Sequence, residues 1–282
     1  RYVAAIDIGT NSIHLLIAAV DISLKTFSIE LAEKSTTRLG EKDSLTGELT
    51  EDSRNKTLDA LKRFKDLAES YEVEDIVTAA TSAVREAPNG IDFLTFVKAE
   101  IGLDVEIISG TEEARLIYLG VLSGMQFNDC SHVLVDIGGG STELVLADSN
   151  DAVALTSTKV GAVRLKSEFI KQQPLSKQTS SFLKNFIYGS LEPAVNKILG
   201  RIKPGDKPQM VATSGTAMAI ASLLTREEAT SRIKLQGFKI EKSKVDELTK
   251  RLLEMTPEQL IKLPQLSERR AEIIVPGILI LQ

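Results

Sequence analysis

The 282-residue sequence contains one cysteine, Cys130, and two histidines, His14 and His132. A single thiol excludes an intramolecular disulfide and a cysteine-rich zinc site, and it suits a reducing compartment such as the cytoplasm. Two histidines so far apart in the chain are too few for a histidine-based metal centre. Long apolar runs are also missing. The opening strand-like segment is interrupted by Asp7, and the apolar closing run 273–281 is short and carries Pro276-Gly277. Neither a membrane span nor a signal peptide is expected. Basic charge is not in excess, since 34 Lys and Arg stand against 39 Asp and Glu for a formal net charge of −5. Nucleic-acid binding through a broad basic face is therefore excluded, and any polyanion would need a local basic channel. Arg38, Arg115, Arg164, Lys166, Arg269 and Arg270 are candidates for one, although each taken singly reads first as a solvated or ion-paired side chain.

What is present is an ordinary globular composition, 43% hydrophobic and 26% charged, in a chain long enough for about two domains. The chain begins without Met at Arg1 and stops inside an apolar run at Gln282, so both ends read as trimmed. The strongest internal feature is a repeat. The segment 6–18 recurs 129 positions later at 135–147, with Asp, Ile, Gly, Ser, Leu and Ala in the same places. Each copy reads as an apolar strand, an acid at its end, a glycine-containing turn with hydroxyls and a second apolar strand. A second pair, Ala80-Thr81-Ser82-Ala83 and Ala212-Thr213-Ser214-Gly215, repeats at an offset of 132. Two matched pairs at nearly one offset indicate duplicated domains.

The spacing predicts a strand meander over 2–8, 12–20 and 26–34, a helix over 50–71, a strand at 76–80, a helix over 90–101 and a strand at 105–108. Ser109-Gly110-Thr111-Glu112 fits a capping box opening a helix to about 124. A second meander follows at 131–137, 142–147 and 152–158. After it come a helix over 176–199, a strand at 209–213, and helices from 214, over 241–254 and over 267–275. Strands followed by strand–helix alternation predict two α/β domains with mixed sheets, divided near residue 120 into 1–120 and 121–282.

The turns point to phosphate. Gly9, Gly138, Gly139 and Gly140 leave successive backbone N–H groups unhindered, which makes an anion nest. Thr10, Asn11, Ser12, Ser141 and Thr142 add polar side chains. Asp7 and Asp136 would repel a phosphate directly. They make sense either as ligands of a hard divalent cation or as turn residues capping their own loops. Glu143 lies on the same strand face as Ser141, within reach of the same cation. Glu112 and Glu113 open a helix, where acids complement the macrodipole, and adjacent helical residues diverge by about 100°. Arg85 is either a bidentate phosphate ligand or a surface arginine.

At these residues the chain resembles the exopolyphosphatase/guanosine pentaphosphate phosphohydrolase (Ppx/GppA) family, within the actin, sugar-kinase and heat-shock ATPase superfamily. The matching segments are AIDIGTNSIHLLIA, ATSAVREAPNG, EIISGTEEARLIYLGV, LVDIGGGSTELVL, VGAVRL, ATSGTAMAIA and LPQLSERRAEIIVPGILIL. The resemblance implies two duplicated ribonuclease H-like (actin-like ATPase) domains, with mixed sheets flanked by helices and a cleft between them. It implies hydrolysis of a terminal phosphoanhydride, with Glu113 as the base that activates water. Asp136 and Glu143 would serve Mg²⁺ (or Mn²⁺) and catalysis. Gly138, Gly139, Gly140 and Ser141 would cradle phosphate. Asp7, Gly9, Thr10, Asn11 and Ser12 would line the opposite wall, with Arg85 nearby, and Ser214 and Gly215 complete the phosphate-binding set. The expected substrate is inorganic polyphosphate or, at the same site, pppGpp, in a cytoplasmic homodimer. Family members commonly continue beyond this C-terminus with a strand and a helix. A non-catalytic sensor of polyphosphate or an alarmone would be expected to lack Glu113 or Glu143. An ATP-dependent sugar kinase would not be expected to carry the EEAR segment.

Overall fold

The computed structural model describes residues 1–127, 130–225 and 235–282. It divides into two compact units, Arg1–Ser109 and Gly110–Gln282.

In the first unit, β1 (Tyr2–Ile8), β2 (Ile13–Asp21) and β3 (Thr26–Ser35) form an antiparallel meander. Side-chain alternation drives Ala4, Ile6 and Ile8 of β1 and Ile13, Leu15 and Ile17 of β2 to one face, where they are buried. Helix α1 (Glu51–Ser70) starts where the Thr50 hydroxyl accepts from the Ser53 N–H at 3.2 Å. It lays Leu58, Leu61, Phe64 and Ala68 onto that face. β4 (Asp75–Ala80), α2 (Ser82–Arg85), α3 (Gly90–Ile101) and β5 (Glu106–Ile107) complete the unit. The strand order is β3-β2-β1-β4-β5, with β4 parallel to β1 and β5 parallel to β4. The opposite face carries exposed Ala5, Asp7, His14 and Val77.

The second unit repeats the arrangement. Helix α4 (Gly110–Gly124) precedes β6 (His132–Ile137), β7 (Thr142–Ala147) and β8 (Ala152–Thr158), an antiparallel meander. Next come α5 (Ala162–Phe169), α6 (Lys177–Leu199), β9 (Gln209–Thr213) and α7 (Ser214–Thr225). The chain closes through α8 (Lys242–Leu253), α9 (Pro257–Ile261), α10 (Glu268–Ala271) and α11 (Ile274–Leu281). The order β8-β7-β6-β9, with β9 parallel to β6, matches that of the first sheet. These are the duplicated, ribonuclease H-like mixed sheets that the motifs predict. Among the described residues, no helix is long and apolar enough to cross a membrane.

Here both faces of the sheet are covered. Val135, Ile137, Leu144 and Leu146 pack with residues of α6, α7, α8 and α11. Leu134, Val145 and Ala147, of opposite parity, pack with Ala114 and Tyr118 of α4. Tyr118 Oη also donates to the Asp148 carbonyl at 3.2 Å. A boundary near residue 120 would give α4 to the first unit; this packing gives it to the second.

Three local differences from the sequence reading have plain causes. The helix expected over 267–275 is two, α10 and α11, because Pro276 has no N–H and fits only the first turn of a new helix. The eight residues of α5 are too few for periodicity to reveal. Helix α9 was missed although a signal for it stands in the chain: Thr256 and Gln259 form a capping box, with Pro257 at the first helical position. Phe64 has no exposed surface, so Phe64→Ala is expected to destabilise the protein by about 3–5 kcal/mol, read from the urea midpoint.

Candidate active site

The chemistry of the second unit gathers on the α4 face of its sheet. Asp136 has the parity of Leu134, and Glu143 that of Val145 and Ala147, so both carboxyls point to the side where α4 packs. The two acids are directly opposed across β6 and β7. On the far side of each stands a hydroxyl in register, Ser157 on β8 opposite Glu143 and Thr213 on β9 opposite Asp136. A single row thus crosses the sheet: Ser157, Glu143, Asp136, Thr213. Ser157 Oγ donates to Glu143 Oε1 at 2.7 Å, and Thr213 Oγ1 donates to Asp136 Oδ2. The sequence motifs name neither hydroxyl as part of the site.

Glu113 comes to the row from the first turn of α4. Its neighbour Glu112 is held elsewhere. Arg115 Nε and Nη2 grip both Glu112 carboxylate oxygens at 2.8 and 2.7 Å, and this hydrogen-bonded arginine lowers the Glu112 pKa. The adjacent acids are therefore divided, one paired with an arginine and the other acting electrostatically on Glu143. Glu143 is only 1% exposed. Burial, first, and the nearby Glu113 carboxylate raise its pKa from 4.5 to about 8. Hydrogen bonds from Ser157 and Ser141 oppose the shift, and Asp136 adds to it. The Asp136 carboxyl keeps part of its residue surface exposed, yet the atoms packed around it desolvate it. Its pKa is raised by that burial against the hydrogen bond from Thr213.

The glycine turn joins β6 to β7, closed by the Gly138 N–H donating to the Ser141 carbonyl at 2.9 Å. Its carbonyl side is taken up by α5. The Ala162 N–H donates to Gly138 O at 3.0 Å, and the N–H groups of Val163 and Arg164 to Gly139 O at 2.9 and 3.0 Å. Arg164 Nε donates to Gly140 O at 3.0 Å. Among the described residues, no backbone carbonyl accepts from the N–H of Gly139 or Gly140. A turn whose carbonyls are bound on one side offers its N–H groups on the other, as an anion site requires. The helix and turn approach so closely that a Cβ on Gly161 would lie 2.4 Å from Gly139 O and 2.5 Å from Gly140 C.

The first unit builds the same turn by other means. The Gly9 N–H donates to Ser12 O at 3.1 Å, while the N–H groups of Gly40 and Arg38 donate to Thr10 O and Asn11 O at 2.8 and 3.1 Å. Thr10 and Ser12 are buried, and Asn11 Nδ2 donates to Ser12 Oγ at 3.2 Å. The row equivalent to that of the second sheet reads Lys34, His14, Asp7, Ala79. Arg85 Nη1 donates to the Ile108 carbonyl at 2.7 Å. In the second unit, Ser214 holds a left-handed φ of 84° at the start of α7. A Cβ on Gly215 would lie 2.3 Å from Arg270 Nη2.

The donor set fits a hard divalent cation shared with a phosphate group. Among the described residues, no group of three or more His, Cys, Asp or Glu side chains forms a metal cage. Mg²⁺ rarely uses one; it takes one or two carboxylates, waters and substrate phosphates. Asp136 and Glu143 supply two such carboxylates, both with proton affinity raised first by burial, a condition that a cation relieves.

The model of the Ppx/GppA phosphatase family matches residues 16–282. Exopolyphosphatase 2 of Mycobacterium tuberculosis is 31% identical over 290 residues, covering 99% of this chain and 88% of the relative. Guanosine-5'-triphosphate,3'-diphosphate pyrophosphatase of Photobacterium profundum is 31% identical over 239 residues, covering 84% of this chain and 46% of that protein. The crystal structure of an exopolyphosphatase from Cytophaga hutchinsonii superposes with a TM-score of 0.86 at 27% identity, covering 100% of this chain and 89% of that one. The PPX-GPPA enzyme of Aquifex aeolicus gives 0.81 at 32% identity, with 99% and 90% covered.

Two outcomes are expected. Between pH 4.5 and about 8 the folded protein holds a proton on Glu143 that the unfolded chain has released. Stability should therefore fall as pH rises through this window. In metal-free buffer, Glu143→Gln should raise Tm at pH 8 and leave it near wild type at pH 5. Gly161→Ala, which forces α5 off the glycine turn, should cost about 1–3 kcal/mol of stability in urea denaturation.

Proposed function

Since the chain belongs to the Ppx/GppA phosphatase family, we propose that it is an exopolyphosphatase, releasing the terminal phosphate of inorganic polyphosphate by attack of water. The observation that carries this reading is Glu113 on α4 acting on Glu143, the strand partner of Asp136, beside a glycine turn with its carbonyls bound. Phosphoryl transfer needs in-line positioning, charge stabilisation and a group that orients or deprotonates the nucleophile. Glu113 is the base. It accepts a proton from water as the water oxygen bonds to the terminal phosphorus. The bridging oxygen leaves with its electron pair, giving orthophosphate and a chain shorter by one unit. The N–H groups of Gly139 and Gly140 and the Ser141 hydroxyl hold phosphate oxygens. Asp136 and Glu143 would hold Mg²⁺ or Mn²⁺, and such a cation supplies Lewis-acid neutralisation of phosphate charge.

Asp7, Gly9, Thr10, Asn11, Ser12, Arg85, Ser214 and Gly215 enter the proposal as phosphate-binding or charge-neutralising residues on the family resemblance. A cytoplasmic location and a homodimer rest on the same resemblance.

A second reading is supported by the Photobacterium relative's name: removal of the 5′-terminal phosphate of pppGpp by the same residues. The polyphosphate reading is preferred because the mycobacterial exopolyphosphatase aligns over 88% of its own length and the Photobacterium protein over 46%. Side-by-side turnover of polyphosphate and pppGpp decides between them. Glu113→Gln is expected to lower kcat by about 10²–10⁴-fold while substrate binding is retained. Near-normal turnover in that variant would remove Glu113 from the role of base.

A further inference from the structure

Each carboxyl of the Asp136–Glu143 pair is backed by a hydroxyl from the next strand outward. Ser157 reaches Glu143 from β8, and Thr213 reaches Asp136 from β9. The pairs are not sequence neighbours. They are opposed in register, so each donor stands beside its acceptor on the same sheet face. Val211 and Leu155, of the same parity as Thr213 and Ser157, pack on the α4 side, which places both hydroxyls on the face that Glu113 approaches.

The duplicated first sheet supplies an internal control. At the position of Ser157 its outer strand β3 carries Lys34, and at the position of Thr213 its strand β4 carries Ala79. The same architecture therefore forms without hydroxyls at the two ends of the row. Their presence in the second sheet answers to the acids between them, not to the fold. A serine or threonine hydroxyl hangs on a single χ torsion, and at Thr213 β-branching stiffens it further. A hydrogen bond from such a side chain takes one carboxylate oxygen and fixes the plane of the group, which orients what remains for a ligand.

We infer that Ser157 and Thr213 are positioning residues for the hydrolysis, holding Glu143 and Asp136 in the orientation that grips a divalent cation together with the terminal phosphates. This rests on the reading of Asp136 and Glu143 as the cation-binding pair. Neither hydroxyl touches the reacting atoms. Their loss should lower the affinity for the cation and the rate that depends on it, without removing the acids themselves.

The test titrates Mn²⁺ into the protein in the presence of imidodiphosphate, whose P–N–P bridge resists hydrolysis. Free Mn²⁺ is followed by electron paramagnetic resonance, and kcat, KM and Tm are measured beside it. Ser157→Ala and Thr213→Val are each expected to weaken Mn²⁺ binding by about 10–100-fold and to lower kcat over the same range, with KM for polyphosphate and Tm near wild type. Ser157→Thr and Thr213→Ser keep the donor and should restore Mn²⁺ binding. Wild-type Mn²⁺ affinity in both donor-less variants would overturn the inference, as would failure of the donor-keeping variants to recover it. Asp136→Asn separates the two levels. If it abolishes Mn²⁺ binding while Ser157→Ala and Thr213→Val do not, only the positioning role is lost. If it too binds Mn²⁺ normally, the assignment of the cation-binding pair is wrong.

Discussion

The second unit is organised around two acids held out of water. Two carboxyl groups stand opposite each other on neighbouring strands, one of them almost without solvent, and a third carboxylate on α4 adds to the field at Glu143. Among the described residues, no arginine or lysine forms a salt bridge with Asp136 or Glu143. A fold would normally neutralise such a pair with a buried cation of its own, because leaving charges close and dry is costly. Here the opposing terms are hydroxyl hydrogen bonds, which lower proton affinity only in part. A site kept in this state has its strongest attraction for something positive that arrives from outside.

The duplication explains how such a site can be built without unfolding its host. Both sheets use the same meander, the same four-residue turn closed by a glycine N–H, and a parallel fourth strand. The framework is thus carried by backbone pairing and by the apolar face, and the transverse row is free to vary. In the first sheet that row is lysine, histidine, aspartate and alanine, on a face with exposed residues. In the second it is hydroxyl, acid, acid and hydroxyl, with α4 laid over the same face. Covering the face dries the acids, and drying is the first cause of their raised proton affinity.

Much of this was legible in the chain. Alternation of apolar residues around Asp7 and Asp136 marks strands, and glycine with a serine three positions on marks the turns. The acids at the strand ends and Glu113 near the start of a helix could be named from these segments and the family they resemble. The allegiance of α4 could not, since its position between the repeats is compatible with packing on either sheet, and only Ala114 and Tyr118 against Leu134 and Val145 decide it. Ser157 and Thr213 were hidden for a different reason. Their relation to the acids exists only in strand register, and for Thr213 that register is set by a crossover carrying α5 and α6. Even the repeat misleads there. The Thr-Ser pairs 81–82 and 213–214 match in sequence, yet Asp7 opposes Ala79 whereas Asp136 opposes Thr213. In the first sheet the equivalent threonine, Thr81, lies two positions beyond the residue opposite the acid.

On the proposed reading, the residues gathered at the row act on the end of a phosphoanhydride chain, and none of them reads what lies behind it. In that reading Glu113, Asp136 and Glu143 would supply a base and hard oxygen ligands, and the glycine turn backbone N–H groups, all of which would be indifferent to whether the leaving group is a shorter polyphosphate or a nucleotide. Discrimination by hydrogen bonding requires groups left unpaired by the wrong substrate, and a terminal phosphate presents the same oxygens in both cases. Selectivity must therefore reside in residues that never meet the reacting phosphorus. This separates two kinds of variation along the chain. Change at the row alters whether the reaction runs, and change elsewhere alters what it runs on. It also accounts for how relatives of about equal identity can carry the names of two different activities while sharing one fold with this chain.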